Sequence, residues 1–342
     1  MSRINREEFL KQLDMVQPGL SIRDIVEQSS CFCFKEGRVF TYNDEVACSY
    51  ETNLNGVLGA VKAEKLHKLL SKLPDDELDI TSSDSKLKIR GKKKGAELTL
   101  EQEITNQFED VEKPQKWKKM HEAFCEAVNI VQQCAGSDVS KPAFTCVHLH
   151  PKWIEACDNF QLCRYLIKTG LKDSVLVRRD SIKHITQLGM TYYSLTDSWI
   201  HFKNPMGLVM SCRRYNEEYH DLSEMLNVTG KKMQLPKGLK EAVEAAEIFS
   251  SDNKEDNLIR IELKEGKCRI TSSSISGRYW EIKNLVYKDK PMSFWVPPEM
   301  LVRLVSQHNE CHVSPDRLKI EGEVWTYVAT LVKAPEKEKE DE

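Results

Sequence analysis

An internal repeat constrains this 342-residue chain more than any other feature. Three segments with apolar residues at helical spacing each open a block of about 110 residues. The first is NREEFLKQLDMV, with Phe9, Leu10, Leu13 and Val16 on one face. The second is KWKKMHEAFCEAVNIVQQCAG, with Trp117, Met120, Phe124, Val128 and Val131. The third is LPKGLKEAVEAAEIFS, with Leu239, Val243, Ala246 and Phe249. Pro236 suits a helix start and Gly136 a helix stop. Each block continues with a strand pair about a central turn: CFCFKEGRVFTYNDEVACSYET, FTCVHLHPKWIEACDNFQLCRYLI and LIRIELKEGKCRITSSSISGRYWEIK. A short apolar strand then introduces a second helix, in GVLGAVKAEKLHKLLSKLPDD, SVLVRRDSIKHITQLG and MSFWVPPEMLVRLVSQHN. More strands follow, with the turn signals SDSK, TDSW and SPDR at the same relative place. The expected fold is α+β: three domains of one topology, each with two helices packed on antiparallel sheet. Their expected bounds are 1–114, 115–232 and 233–332, with Pro114 and residues 230–232 at the joints and a charged, disordered tail at 333–342.

Composition narrows the function. The chain is too long for one ordinary core, and its 40% hydrophobic content supports packed domains. Fifty Lys and Arg against 53 Asp and Glu leave a net charge of −3. That excludes a wholly basic nucleic-acid binder but permits a local basic lining. No apolar run approaches the ~20 residues that span a bilayer, and the start MSRINREEFL lacks the apolar core of a signal peptide. Eleven scattered cysteines without a CxxC read as reduced, buried thiols of a cytoplasmic protein. His308, Cys311 and His312 in HNECH lack a second ligand pair, so neither metal nor cofactor is expected.

The sequence has no P-loop, GxGxxG, GxSxG or HExxH, and we expect no enzyme. His148 and His150 alternate along a strand near Cys157 and Asp158, which leaves a Cys/His hydrolase as a minor alternative to plain strand histidines. Trp199, Trp295 and Trp325 lie in apolar alternating strands and read as core, not as stacking platforms for single-stranded nucleic acid.

Four stretches resemble the bacterial-type DNA polymerase sliding clamp, the β subunit of the replicative polymerase. IEACDNFQLCRYLI is similar to the family's second-domain phrase Ala, any residue, Asp, Gly, His, Arg, Leu. It matches at Ala156, Asp158 and Leu162 and departs at Asn159, Phe160 and Gln161. RRYNEEYHDLSEML resembles the segment leading into the third domain, with Tyr219 and Asp221 fitting and His220 in place of a proline. SIRDIV puts Arg23 in the loop after the first helix, where the family has a basic residue. EVWTYVATLVK matches the apolar final strand, beyond which the family normally stops. The resemblance spans roughly residues 2–332 and would fit a divergent clamp of phage or mobile-element origin.

The resemblance implies a DNA polymerase processivity factor: a head-to-tail homodimer ring that encircles double-stranded DNA without sequence preference. It also implies that polymerase and clamp loader bind by short peptides in an apolar groove. No membrane partner is expected. A basic lining would come from Arg23, Lys65, Lys68, Lys72, Lys116, Lys118, Lys119, Arg178, Arg179, Lys183, Lys237, Lys240 and Arg303. Counted over the six expected helices, 14 basic residues face 11 acidic ones. The matching groove positions are Cys157, Phe160, Leu162, Val228, Val328, Thr330 and Leu331. The subunit edges would be Gly95–Leu100 and Arg278–Ile282, with Lys92–Lys94 set to meet acids such as Glu281. The other reading is a clamp-fold interaction scaffold that does not encircle DNA.

Overall fold

The computed structural model describes residues 2–24, 26–83, 85–250, 257–288, 290–305, 310–314 and 316–331. The charged stretch at 333–342 lies outside them, as does His308.

The first repeat runs β1 (Ser2–Asn5), α1 (Arg6–Met15), β2 (Cys31–Lys35), β3 (Arg38–Tyr42) and β4 (Val46–Glu51). It continues with β5 (Gly59–Lys62), α2 (Ala63–Lys72), β6 (Glu77–Ser83), β7 (Lys86–Arg90) and β8 (Gly95–Thr99). The second has β9 (Lys118–Lys119), α3 (Phe124–Val131), β10 (Cys146–His150), β11 (Trp153–Cys157) and β12 (Gln161–Leu166). It continues with β13 (Val175–Arg178), the short α4 (Arg179–Ile182) and α5 (His184–Gln187), β14 (Tyr192–Leu195), β15 (Trp199–Lys203) and β16 (Val209–Tyr215). After the single turn α6 (Ser223–Leu226), the third has β17 (Lys231–Gln234), α7 (Leu239–Ser250), β18 (Ile259–Lys264), β19 (Lys267–Ser274) and β20 (Gly277–Asn284). It ends with β21 (Met292–Val296), α8 (Pro298–Val305), β22 (Glu310–Val313), β23 (Arg317–Glu321) and β24 (Trp325–Thr330).

Each repeat is therefore two copies of a smaller motif, a strand, a helix and three strands. The halves exchange their first strands: β1 pairs with β6 and β5 with β2 in the first repeat, β17 with β22 and β21 with β18 in the third. In the first and third repeats this exchange locks the two sheets together, because neither half is a closed sheet alone. Hairpin chemistry is repeated too. Glu36–Gly37 and Glu265–Gly266 both take positive φ at the two central turn positions, as a tight hairpin matched to strand twist requires. Asn5 caps α1 by accepting the Glu8 amide at 3.0 Å. Phe9 and Leu13 bury the inner face of α1, with Phe9 against Phe34 of β2.

Three expectations about the helices need correction. The second opening helix was expected from Lys116, but it starts at Phe124. Lys118 and Lys119 instead form strand β9 opposite Tyr193 and Tyr192. The Met120 amide donates to the Thr191 carbonyl, and the His121 ring accepts the Ala123 amide at the turn into the helix. Trp117 and Met120 thus flank a two-residue strand, and their i, i+3 spacing is not part of a helix. Lys237 lies in a turn with Gly238 at φ +72°, so the third opening helix starts only at Leu239. Arg178 ends strand β13, and the helix after it is two four-residue pieces.

The chain forms two compact units, one of residues 1–129 and 169–216 and the other of 130–168 and 217–342. In the first unit, β4 pairs antiparallel with β16, from Val46 opposite Cys212 to Ser49 opposite Val209. Arg213 reinforces that joint: its Nε donates to the Asp44 carbonyl at 2.6 Å, and its guanidinium lies over the Trp199 ring. In the second unit, β12 pairs antiparallel with β24, from Gln161 opposite Ala329 to Tyr165 opposite Trp325. Both joints obey one rule. The last strand of a first half pairs with the last strand of the next repeat's second half. Two last strands then remain as sheet edges, β8 and β20.

Candidate functional site

The apolar groove positions fall in the second unit, at the end of the β12–β24 pair. Leu162 sits opposite Val328 there and Cys157 opposite Leu162. Cys157, Leu162, Val228 and Val328 form one apolar cluster with Leu222. Phe144, Tyr219 and Leu226, each half-buried, pack against it. Four of the seven expected residues are thus brought together in this cluster. The other three belong to the same strand ends: the Thr330 amide donates to the Phe160 carbonyl at 2.6 Å, and the Leu331 amide to Asp316. The Phe160 side chain is 40% exposed and Leu331 is buried. Sequence matching missed Phe144, Leu222 and Leu226. The signal that could have found the two leucines is their i, i+4 spacing across a single helical turn.

A charged cluster lies beside this apolar one. Glu155, 1% exposed, accepts from Arg164 Nε at 2.6 Å and lies 2.7 Å from His148 Nδ1. Burial pushes the Glu155 carboxyl up, but the His148 hydrogen bond and the Arg164 charge outweigh it and hold the group below the usual range. Arg164 also lies over the Trp153 ring and donates to Ser223 Oγ, which ties β12 to the α6 turn. His148 meets the Tyr219 ring at 4.5 Å. The Tyr219 hydroxyl donates to Cys157 Sγ at 3.4 Å. Burial pushes the Cys157 thiol up to about 11 against that hydrogen bond, the reverse of what a nucleophile needs. His148 faces Glu155 and not Cys157, and Asp158 caps the Phe160 and Gln161 amides. These residues therefore do not form a nucleophile–base pair, and the hydrolase alternative loses its geometry. His312 pairs with Glu321, and no cluster of three or more possible metal ligands occurs among the described residues.

The basic positions divide by element. On α2, Lys65, Lys68 and Lys72 are exposed while Leu66 and Leu70 are fully buried, which is the expected stripe. Lys68 pairs with Glu64 one turn earlier. Arg23 is exposed in the loop after α1. Lys116, Lys118 and Lys119 are exposed in and before β9, not on a helix. Arg178 reaches Glu45 at 3.7 Å and lies over the Tyr215 ring, so it is held within the first unit's repeat joint. Arg179 and Lys183 both pair with Asp180. In the second unit Lys237 is exposed in its turn and Lys240 pairs with Glu244. The Arg303 side chain is outside the described atoms. Within their observed bounds, the helices of the half-repeats carry eight basic and ten acidic side chains. The expected helical excess of positive charge is not there. It came from counting as helical Lys116, Lys118, Lys119, Arg178, Lys183 and Lys237, all of which lie outside the helices.

The two sheet edges differ in character. β20 exposes Trp280 at 59% and Ile282 at 48%, two apolar side chains on one face of an edge strand. On its other face Glu281 is held by Lys283 at 2.5 Å and accepts the Tyr279 hydroxyl at 2.6 Å. Glu281 is thus already paired within its own strand. β8 presents Glu97 between Lys86 and Lys88 of β7.

No protein-family model matches the sequence, and no curated protein matches it at a significant level. Solved structures do match. The DNA polymerase III β chain of Streptococcus pneumoniae superposes with a TM-score of 0.78 at 15% identity, covering 97% of this chain and 99% of that one. The β subunit of Thermotoga maritima gives 0.78 at 16%, covering 98% and 99%. The sliding clamp of Bartonella birtlesii, solved bound to griselimycin, gives 0.80 at 14%, covering 97% and 99%. The chain has the sliding-clamp fold along nearly its whole length.

Proposed function

We propose that this chain is a DNA sliding clamp: two copies join head to tail, enclose duplex DNA, and tether replication proteins by short apolar peptides. The observation that carries the reading is the pair of leftover last strands. Inside the chain, every other last strand of a half-repeat is paired with its counterpart from the next repeat. β8 and β20 are the two that the same rule would join across a subunit boundary. Head-to-tail contacts of this kind close into a ring when the rotation between subunits allows it. The three repeats serve as three domains, near 1–114, 115–232 and 233–332. Trp280 and Ile282 supply the apolar area for the joint, and their exposure on an edge strand is otherwise an aggregation hazard.

Enclosure does not need tight binding. Phosphate contacts from Arg23, the α2 lysines, the β9 lysines, Lys183 and Lys237 would be weak, non-specific and salt-sensitive. Polymerase and loader peptides would set Leu or Phe anchors on the Leu162–Val328 cluster, each worth about 1.5–3 kcal/mol when fully buried. The decisive experiment loads the protein on nicked circular DNA and then linearises it. Retention on the circle and loss from the linear form supports enclosure; equal loss from both removes it.

One observation favours a second reading, a clamp-fold scaffold that does not enclose DNA. The half-repeat helices carry more acid than base. The same loading assay separates the two, because a scaffold binds its peptide but is never retained on the circle.

A further inference from the structure

A cleft of about 330 Å³ lies within the first unit, where four stretches of chain distant in sequence converge. Four positive side chains line it, Lys116, Lys118, Lys172 and Arg214, against two negative ones, Asp173 and Asp197. None of these lysines or carboxylates makes an ion pair among the described residues. Lys118 of β9 stands opposite Tyr193 of β14, with its Nζ 5.9 Å from the ring centroid. Lys172 lies in the connection from β12 to β13. Arg214 of β16 donates through Nη1 to the Thr196 carbonyl, which fixes its guanidinium against the loop after β14.

Exposed lysines alone would be an ordinary solvated surface. Tyr193 makes this cleft different. It lines the cleft with a side chain only 2% exposed, and its buried hydroxyl has no hydrogen-bond partner among the described residues. Burial pushes the hydroxyl's pKa up, so it remains a donor at neutral pH. A Cβ at Gly170 would come within 3.1 Å of the hydroxyl oxygen, and glycine at φ +78° keeps that space free of a side chain. A buried donor left unpaired is destabilising, so an acceptor from outside the chain gains by meeting it. An acceptor that also carries negative charge would satisfy the hydroxyl and the surrounding cations together. A phosphoryl group has both properties, several acceptor oxygens and a charge that Lys and Arg bind well.

We propose that this cleft binds a phosphoryl anion, with the Tyr193 hydroxyl donating to one oxygen and Lys118, Lys172 and Arg214 neutralising the rest. The site goes beyond the clamp reading and does not rest on it. Lys119 stands opposite Tyr192, on the other face of β9, and is not part of the cleft. The anion comes either from a free phosphate or diphosphate, or from a phosphodiester of a nucleic-acid strand.

Titration of the full chain at constant ionic strength tests the site, with amide resonances as the readout. Inorganic pyrophosphate and a short mixed-sequence single-stranded oligonucleotide are added separately. Expected are saturable shifts at 115–118, 172–175 and 193–197. They should vanish in the double variant Lys118→Glu with Lys172→Glu and need several-fold more ligand in Tyr193→Phe. Both lysines are exposed, and the phenylalanine removes only a hydroxyl that no described residue binds, so thermal midpoints should stay within a few degrees. Saturation by pyrophosphate but not by the oligonucleotide assigns the site to a free anion. Tighter saturation by the oligonucleotide, reversed by pyrophosphate, assigns it to a strand. Shifts that chloride reproduces at equal ionic strength, no saturation by either ligand, or unchanged affinity in Tyr193→Phe would overturn the proposal. Neither ligand needs a closed ring, so failure here leaves the clamp reading standing, and failure of the loading assay leaves the anion site standing.

Discussion

At the residue scale, burial decides what each polar group can do. His201 is fully buried between Thr196 Oγ1 at 3.1 Å and Ser211 Oγ at 2.7 Å, and burial lowers its pKa from 6.5 to about 4. The unfolded chain takes up this proton near pH 6.5 and the folded chain does not. Stability is therefore full above that pH and falls as the pH drops from about 6.5 to 4, by up to about 3 kcal/mol. The urea midpoint of the unmodified protein should fall more steeply over that window than that of His201→Gln; parallel curves would refute the assignment. At the apolar cluster proposed as the partner groove, Leu226 is only half-buried, so Leu226→Asp should leave the fold nearly intact. A fluorescent peptide with Leu and Phe anchors should bind it about tenfold more weakly, on the order of one lost apolar contact. Unchanged affinity would place the peptide elsewhere.

At the element scale, the repeat was legible because strands and helices follow in the same order three times. Apolar spacing located α1, α2 and the strand pairs. The opening strands were not legible. β9 is two residues long and its lysines are exposed, so no alternation announces it. Its identity comes from Tyr192 and Tyr193, more than 70 residues away in sequence. The same distance effect hid the first-strand exchange between halves. For the edges, if β20 makes the proposed subunit joint, Trp280→Lys with Ile282→Lys should shift sedimentation from dimer to monomer, with a thermal midpoint within a few degrees of the original. Those side chains are exposed and support little within the chain. A doubly substituted protein that stays dimeric would move the joint away from β20.

At the scale of the whole molecule, if the chain encloses DNA as proposed, a net charge of −3 and helices with more acid than base imply that its hold on the duplex is weak. Lys65→Glu, Lys68→Glu and Lys72→Glu together should shorten retention on circular DNA several-fold in low salt and change it little at 0.3 M salt, where the contacts are already screened. Equal retention at both would mean that α2 does not face the duplex. The sequence by itself determined the fold class and the threefold order, and its family resemblance pointed to Cys157, Leu162, Val228 and Val328, which the fold brings into one apolar cluster. Those follow from local periodicity and from short phrases that survive divergence. Only the tertiary structure decided which lysines lie on helices, which last strands are paired, and that Glu155 with Arg164 and His148 lies beside the apolar cluster. Each of those depends on partners distant in sequence, brought together by sheet registers that no local pattern encodes.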